Sequence, residues 1–314
     1  MKKQESQTQA ACPLCGSLRS TIRVSESRLL RMPAGTVIRT CGDCGLSVRE
    51  PLATGSAGLE EYGADYYYDH QMLERDAPPS LVRALPLLEG PRGPGRLLEI
   101  GCGLGAFLVR ARDRGWKVHG IEVSPWAAAE ARRRTRSPIL LARAEALPYP
   151  AAIFDTVVSH HVFEHLADPF EALRESWRVC RRGGRLLLIL PNELGHLFVR
   201  WALCAQHGQP LGEGPVANLR RWLAYQTPQP PRDSSHLYFF SPQALRLAAQ
   251  RTGWRPLRLQ TFRVRRDVKR SYLLGHFVKA GLYAAEAWLR RGPEMILLAE
   301  AVEPAATYAP AARL

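Results

Sequence analysis

Long apolar runs are missing from this chain. No stretch of its 314 residues reaches the roughly 18 uninterrupted apolar positions that a membrane-spanning helix needs. The amino-terminal MKKQESQTQA is polar and has no apolar core of the signal-peptide kind, so the expected compartment is the cytoplasm. Lysine is scarce too: five positions (2, 3, 117, 269 and 279) out of 43 basic residues, the rest being arginine. A formal charge of +14 invites a nucleic-acid partner, because basic surfaces collect phosphates. The arginines are scattered, however, with only 262-FRVRRDVKR-270 locally dense, and abundant Ala, Leu and Gly mark a compositional bias. Most of that charge reads as a solvated surface.

Cysteines are few, seven in all, and their placement argues against a disulfide framework. Cys102, Cys180 and Cys204 stand alone and read as small buried hydrophobes. The other four form two Cys-x-x-Cys-Gly knuckles, 12-CPLCG-16 and 41-CGDCG-45. Each tight turn aims two sulfurs at one ion, and the glycine permits a backbone conformation that other residues resist. Cys12, Cys15, Cys41 and Cys44 therefore read as a closed tetrahedral site for structural zinc, although rubredoxin-type iron uses the same knuckles. Such a site leaves no position open for substrate. A redox pair needs a CxxC that opens a helix after a strand, and neither knuckle has that setting.

Residues 1–50 thus form a metal ribbon, 51–94 a bridge carrying the cluster 62-YGADYYYDH-70, and 90-GPRGPG-95 the link to the main domain. Over 95–305 apolar strand runs alternate with helices. Strands are expected at 96–100, 117–123, 138–142, 153–159, 185–190, 255–262 and 294–302. Three helices open with a polar cap followed by proline: Ser124-Pro125, Asp168-Pro169 and Ser241-Pro242. The alternation specifies an α/β fold, a doubly wound, seven-stranded, mostly parallel sheet. Residues 306–314 read as a disordered tail.

The first strand runs into a glycine loop, 97-LLEIGCGLGA-106. Gly101, Gly103 and Ala106 satisfy G-x-G-x-x-A, which dinucleotide-binding domains share, and Glu122 ends the next strand where an acid meets ribose hydroxyls. Glu99 separates the two readings. A carboxylate two residues before the first glycine repels a pyrophosphate at the helix N-terminus, and suits a ligand carrying an amino group and a sulfonium.

Further stretches agree: Phe154-Asp155, 164-EHLADP-169, Arg182-Gly183-Gly184 as a turn into the fifth strand, Pro191-Asn192, and 236-HLYFFSPQAL-245 with Gly253-Trp254. With these the chain resembles the class I S-adenosylmethionine-dependent methyltransferases. Its ribbon, ending CGLSVREP, is similar to the zinc-ribbon subgroup that includes sugar C-methyltransferases. The resemblance implies S-adenosylmethionine as cofactor and a Rossmann-like fold. It places Gly101, Gly103 and Gly105 against the cofactor, Glu99 facing its amino group, Glu122 on its ribose diol and Ser159 at the strand tip beside it. The acid that in many relatives meets the adenine amine falls on Arg143, which leaves Ala144 and Glu145 as candidates.

Methyl transfer from a sulfonium is an in-line displacement, so the protein has mainly to hold the nucleophile, with a base only where the acceptor must lose a proton. His161 follows the fourth strand together with His160, at the edge where open α/β sheets bind ligands. His165 lies just beyond and His236 after the fifth strand. Sugar C-methyltransferases carry a His-Glu-His motif near the last of these; here it reads Ser234-Ser235-His236. His236, His161 and His165 are the candidate bases. The insertion at 193–235, with Trp201 and Trp222, is the expected acceptor pocket or lid. An apolar stripe over 272–289, behind the basic cluster at 262, reads as a helix packed on the sheet, or as a peripheral membrane contact. The expected acceptor is a small molecule or saccharide. An RNA methyltransferase gripping phosphates through ribbon and arginines, and a non-catalytic cofactor-binding protein, are the alternatives. The oligomeric state is not written in one chain.

Overall fold

The computed structural model describes residues 10–25, 36–50, 77–89, 93–192, 236–262 and 293–303. The chain begins with strands β1 (Ser20–Ser25), β2 (Val37–Cys41) and β3 (Ser47–Glu50), followed by helix α1 (Pro79–Leu88). Next come β4 (Arg96–Ile100), α2 (Ala106–Arg112), β5 (Lys117–Glu122), α3 (Pro125–Thr135), β6 (Ile139–Leu141) and β7 (Phe154–His160). A 3-10 turn at Phe163–His165 leads to α4 (Pro169–Val179), β8 (Cys180–Pro191), β9 (Tyr238–Phe239) and α5 (Pro242–Arg251). Strands β10 (Trp254–Phe262) and β11 (Glu294–Ala301) close the domain.

The large sheet has seven strands in the order β10-β11-β8-β7-β4-β5-β6. The run β8-β7-β4-β5-β6 is parallel, and β11 lies antiparallel to both β8 and β10. A parallel sheet covered on both faces needs apolar side chains on both, which is why β4 reads LLEI without alternation. Leu97, Leu98 and Ile100 are all buried. One apolar cluster joins α1 to α2 (Leu81, Leu85, Phe107, Leu108). The other joins α4 and α5 on the opposite face (Leu173, Leu245, Ala248) with Trp254. The Trp254 indole donates to the carbonyl of Leu173 at 3.2 Å.

The three capped helix starts form as expected. Ser124 Oγ accepts from Ala127 N, Asp168 Oδ1 from Phe170 N and Glu171 N, and Ser241 Oγ from Ala244 N. Three features differ from the sequence reading. The bridge holds α1, whose buried Leu81, Ala84, Leu85 and Leu88 repeat at helical spacing. Arg182-Gly183-Gly184 is not a free turn before the fifth strand but lies within β8, where the partner of Phe154 is Cys180 and that of Thr156 is already Arg185. Gly183 takes φ +70 there, a conformation open to glycine. The segment after the insertion supplies β9, which leaves the large sheet and pairs with β3 (Ser47↔Phe239, Val48↔Tyr238), giving a small sheet in the order β1-β2-β3-β9.

The cysteine-bearing strands are consequently continuous with the main core. Leu14, Leu46 and Val48 share one apolar cluster with Leu237, Tyr238 and Phe240. Gln243 Nε2 donates to the carbonyl of Asp43 at 3.2 Å, and Arg251 Nη1 to that of Leu14. The aromatic-acidic stretch 62–70, Cys204, the insertion 193–235 with Trp201 and Trp222, the stripe 272–289 and the tail 306–314 lie outside the described residues. Among those described, no helix is long and apolar enough to cross a membrane.

Asp168 satisfies two otherwise orphaned N–H groups at the start of α4. Asp168→Ala is expected to lower stability by about 1 kcal/mol, read in urea as an earlier midpoint with an unchanged slope.

Candidate functional site

The carboxyl ends of β4, β5 and β7 meet at the glycine loop. Gly101 N and Cys102 N both donate to the carbonyl of Ile121 at 3.0 Å, so the loop hangs from the tip of β5. Gly101, Gly103 and Gly105 have φ of +68, +50 and +74. At Gly101 a Cβ would sit 2.4 Å from Val162 Cγ2, which makes glycine obligatory twice over. Glu122 is buried and its carboxylate collects three backbone donors. Oε2 accepts from Gly103 N at 2.9 Å; Oε1 accepts from Val123 N at 2.8 Å and Ser124 N at 3.0 Å. Glu99 is buried between Gly120 of β5 and Val158 of β7. Burial, and then the nearby charges of Glu99 and Glu122, hold the Cys102 thiol well above its ordinary range, so it is an inert filler. Ser159 is turned into the sheet and donates to the carbonyl of Ile100 at 3.1 Å, tying the tips of β4 and β7 together.

Beyond β6, Ala144 is buried and Glu145 is folded inward. Both Glu145 carboxyl oxygens are shielded, and beyond an ion pair with Arg143 at 3.7 Å neither has a hydrogen-bond partner among the described residues. The side chains at 143 and 145 thus face each other rather than diverging.

All three candidate bases converge on one carboxylate, Glu164, in the turn after β7. His161 Nδ1 lies 3.2 Å and His165 Nε2 3.9 Å from Glu164 Oε1. His165 and His236 pack edge to face, ring centres 4.5 Å apart, and His160 and His161 do so at 4.3 Å. His160 Nε2 also faces Ser80 Oγ of α1 at 3.4 Å. Burial alone pushes the Glu164 carboxyl up; the hydrogen bond to His161 and the neighbouring imidazoles of His165, His161 and His236 overcome it and hold the group at about 2. His161 is the mirror case: burial lowers it, and Glu164 raises it above the ordinary histidine range. For His160, burial and then the His161 charge bring the pKa down to about 3. His161 also has φ +53, a left-handed conformation that costs a histidine energy and marks a constrained position.

The sequence reading quoted Glu164 only as part of 164-EHLADP-169 and gave neither it nor Glu294 a site role. Glu164 stands three residues after His161 and one before His165, a spacing that a tight turn closes onto one point. Glu294 opens β11 opposite Pro191 of β8, and its carboxylate joins His160 and His161 in a second cluster; no local pattern foretells that.

Apart from the glycine loop and the histidines, the four knuckle sulfurs lie within 4.8 Å of one another. Cys12 Sγ is 3.6 Å from Cys44 Sγ, and Cys15 Sγ 3.5 Å from Cys41 Sγ. A tetrahedron with metal–sulfur bonds of about 2.3 Å has edges of roughly 3.8 Å, so the cage fits one thiophilic ion.

Residues 98–188 match a family described as a methyltransferase domain. Over 124 residues the chain is 33% identical to malonyl-(acyl-carrier protein) O-methyltransferase of Enterobacter lignolyticus, covering 39% of this chain and 48% of that protein. Over 113 residues it is 35% identical to demethylmenaquinone methyltransferase of Deinococcus radiodurans, covering 33% of this chain and 47% of that one. The chain thus spans about half the length of these curated relatives. In fold it is similar to a SAM-dependent methyltransferase from Archaeoglobus fulgidus, with a TM-score of 0.50, 16% identity, and 76% of this chain covering 100% of that one. Residues 98–188 thus match a methyltransferase domain, and the seven-stranded sheet with its glycine loop has a Rossmann-like methyltransferase fold.

Proposed function

We propose that this chain transfers a methyl group from S-adenosylmethionine to a small-molecule acceptor, with saccharides included in that class. One observation carries the reading: two buried carboxylates, Glu99 and Glu122, flank the glycine loop, and a histidine cluster stands at the same sheet edge, joined to the loop by the contact of Val162 with Gly101. The carboxylates suit the ammonium and ribose hydroxyls of the cofactor; they do not suit a pyrophosphate. Relatives named for malonyl-(acyl-carrier protein) and demethylmenaquinone support an acceptor other than nucleic acid. So does the state of several arginines: Arg133, Arg174 and Arg178 are engaged by Glu130, Glu171 and Glu175 one helical turn away.

When bound, S-adenosylmethionine supplies a methyl group already activated on sulfur. The chain's own task is then positioning. Gly101, Gly103 and Gly105 bring backbone to the cofactor, Glu99 faces its amino group, and Glu122 holds the ribose while its other lone pairs keep the loop closed. Ala144 and Glu145 border the adenine. Where the acceptor atom must shed a proton, His161, partly exposed at the strand tip and paired with Glu164, receives it, and His165 and His236 stand behind it. Cys12, Cys15, Cys41 and Cys44 hold structural zinc, and the closed cage keeps that ion out of the chemistry.

Cofactor labelled on its methyl group, incubated with the protein and a fractionated host extract, is expected to label the small-molecule or lipid fraction. Label confined to RNA overturns the acceptor class. Glu122→Ala removes charge-assisted hydrogen bonds worth about 1.5–3 kcal/mol, so affinity for S-adenosylhomocysteine should fall roughly 10- to 100-fold in calorimetry, and the labelling should disappear with it. For the ribbon, a mercurial reagent that captures thiolates is expected to release one zinc per chain, read by a colorimetric chelator, with a fall in the thermal midpoint. No release would remove the zinc assignment.

A further inference from the structure

The geometry points to a second metal site, unlike the cysteine cage in chemistry and place: we propose that Glu164, His165 and His236 bind one divalent transition-metal ion at the acceptor edge of the sheet. Their ligand atoms lie within 4.8 Å of one another, with Glu164 Oε1 3.9 Å from His165 Nε2. Donors sharing an ion at about 2.1 Å sit roughly 3 to 4.2 Å apart, so a small rotation of one imidazole closes the set. The Glu164 side chain is 1% exposed, and its Oε2 is buried with no hydrogen-bond partner among the described residues. A buried carboxylate oxygen left in that state is costly, and a cation satisfies it.

The donors do not meet by sequence proximity alone. His236 arrives from beyond the insertion and is fixed by its neighbours: Leu237 N donates to the carbonyl of Glu164 at 2.8 Å, and Tyr238 Oη to that of Ala167 at 3.2 Å. Two imidazoles and one carboxylate form a donor set for manganese, iron(II), cobalt or zinc; an all-oxygen calcium site and a thiolate site are both different. Three protein ligands leave positions open. Those positions suit an acceptor that presents oxygen atoms to the ion. This use rests on the methyl-transfer reading; the binding itself does not.

Manganese discriminates the two sites, because soft thiolates disfavour it while imidazole and carboxylate accept it. Titrating Mn2+ into the full chain, with free ion followed by its electron paramagnetic resonance signal, is expected to show one ion bound per chain. Glu164→Gln, nearly isosteric, and His165→Gln, at a more exposed ligand, should each weaken that binding at least ten-fold. Each substitution tests a different ligand, and retained S-adenosylhomocysteine binding in the same samples reports the fold separately. Absence of binding by the unaltered chain overturns the proposal, as does binding that both variants leave unchanged. Loss in Glu294→Gln with retention in Glu164→Gln overturns it too, since the ion would then sit on His160, His161 and Glu294 instead.

Discussion

One peptide group, that of Leu237, joins the small sheet to the turn after β7. Its carbonyl accepts from Arg49 N at 2.9 Å, and its N–H donates to the carbonyl of Glu164 at 2.8 Å. The first bond belongs to the small sheet, the second to the turn that carries the histidine cluster. Strand β9 is two residues long, too short to persist alone, and it exists because β3 offers it an edge. The burial of Leu237, Tyr238 and Phe240 against Leu14, Leu46 and Val48 adds the apolar share of the same contact. The position of His236 is therefore conditional on the ribbon.

Three buried glutamates lie at this edge of the sheet, in different settings. An isolated carboxylate moved from water into a protein interior costs several kcal/mol. Glu122 meets this with three backbone N–H groups, donors the loop must place somewhere in any case. Glu164 meets it with the His161 imidazole, whose positive charge it stabilises in return, and with the nearby rings of His165 and His236. Glu99 sits in the middle of the sheet, between β5 and β7, two residues before the first glycine of the loop. The electrostatics of the edge are thus divided: fixed and backbone-bound beneath the glycines, and carried by an imidazole–carboxylate pair in the turn after β7.

The doubly wound sheet was legible because its signals are local. Buried parallel strands appear as unbroken apolar runs, and Ser124, Asp168 and Ser241 mark helix starts before proline. Helix α1 carries the same kind of signal, an apolar repeat at 81, 84, 85 and 88, yet Pro86 within it and the Gly-Pro-rich stretch after it make it read as a connector. What sequence reasoning missed depends on pairing between distant segments. A two-residue strand leaves no periodicity, so HLYFF reads as a motif and not as the fourth strand of the ribbon sheet. Nor does the order of residues say that Arg182-Gly183-Gly184 is absorbed into β8, since only the register against β7 decides it. The histidines were found singly; their convergence on Glu164 is a product of one turn and one long-range hydrogen bond.

The two donor clusters differ in chemistry. Four thiolates would surround an ion completely, which is the arrangement of a structural site. The histidine and glutamate donors are of mixed hardness, and their ligand atoms lie within 4.8 Å of one another in the turn after β7 and at the start of the segment that carries β9. Because Leu237 ties the ribbon to the Glu164 turn, loosening the cage would free His236 before it disturbed Glu99 or Glu122, which are anchored within the large sheet. The turn that carries Glu164 should thus be sensitive to the ribbon, while the glycine loop remains comparatively independent of it.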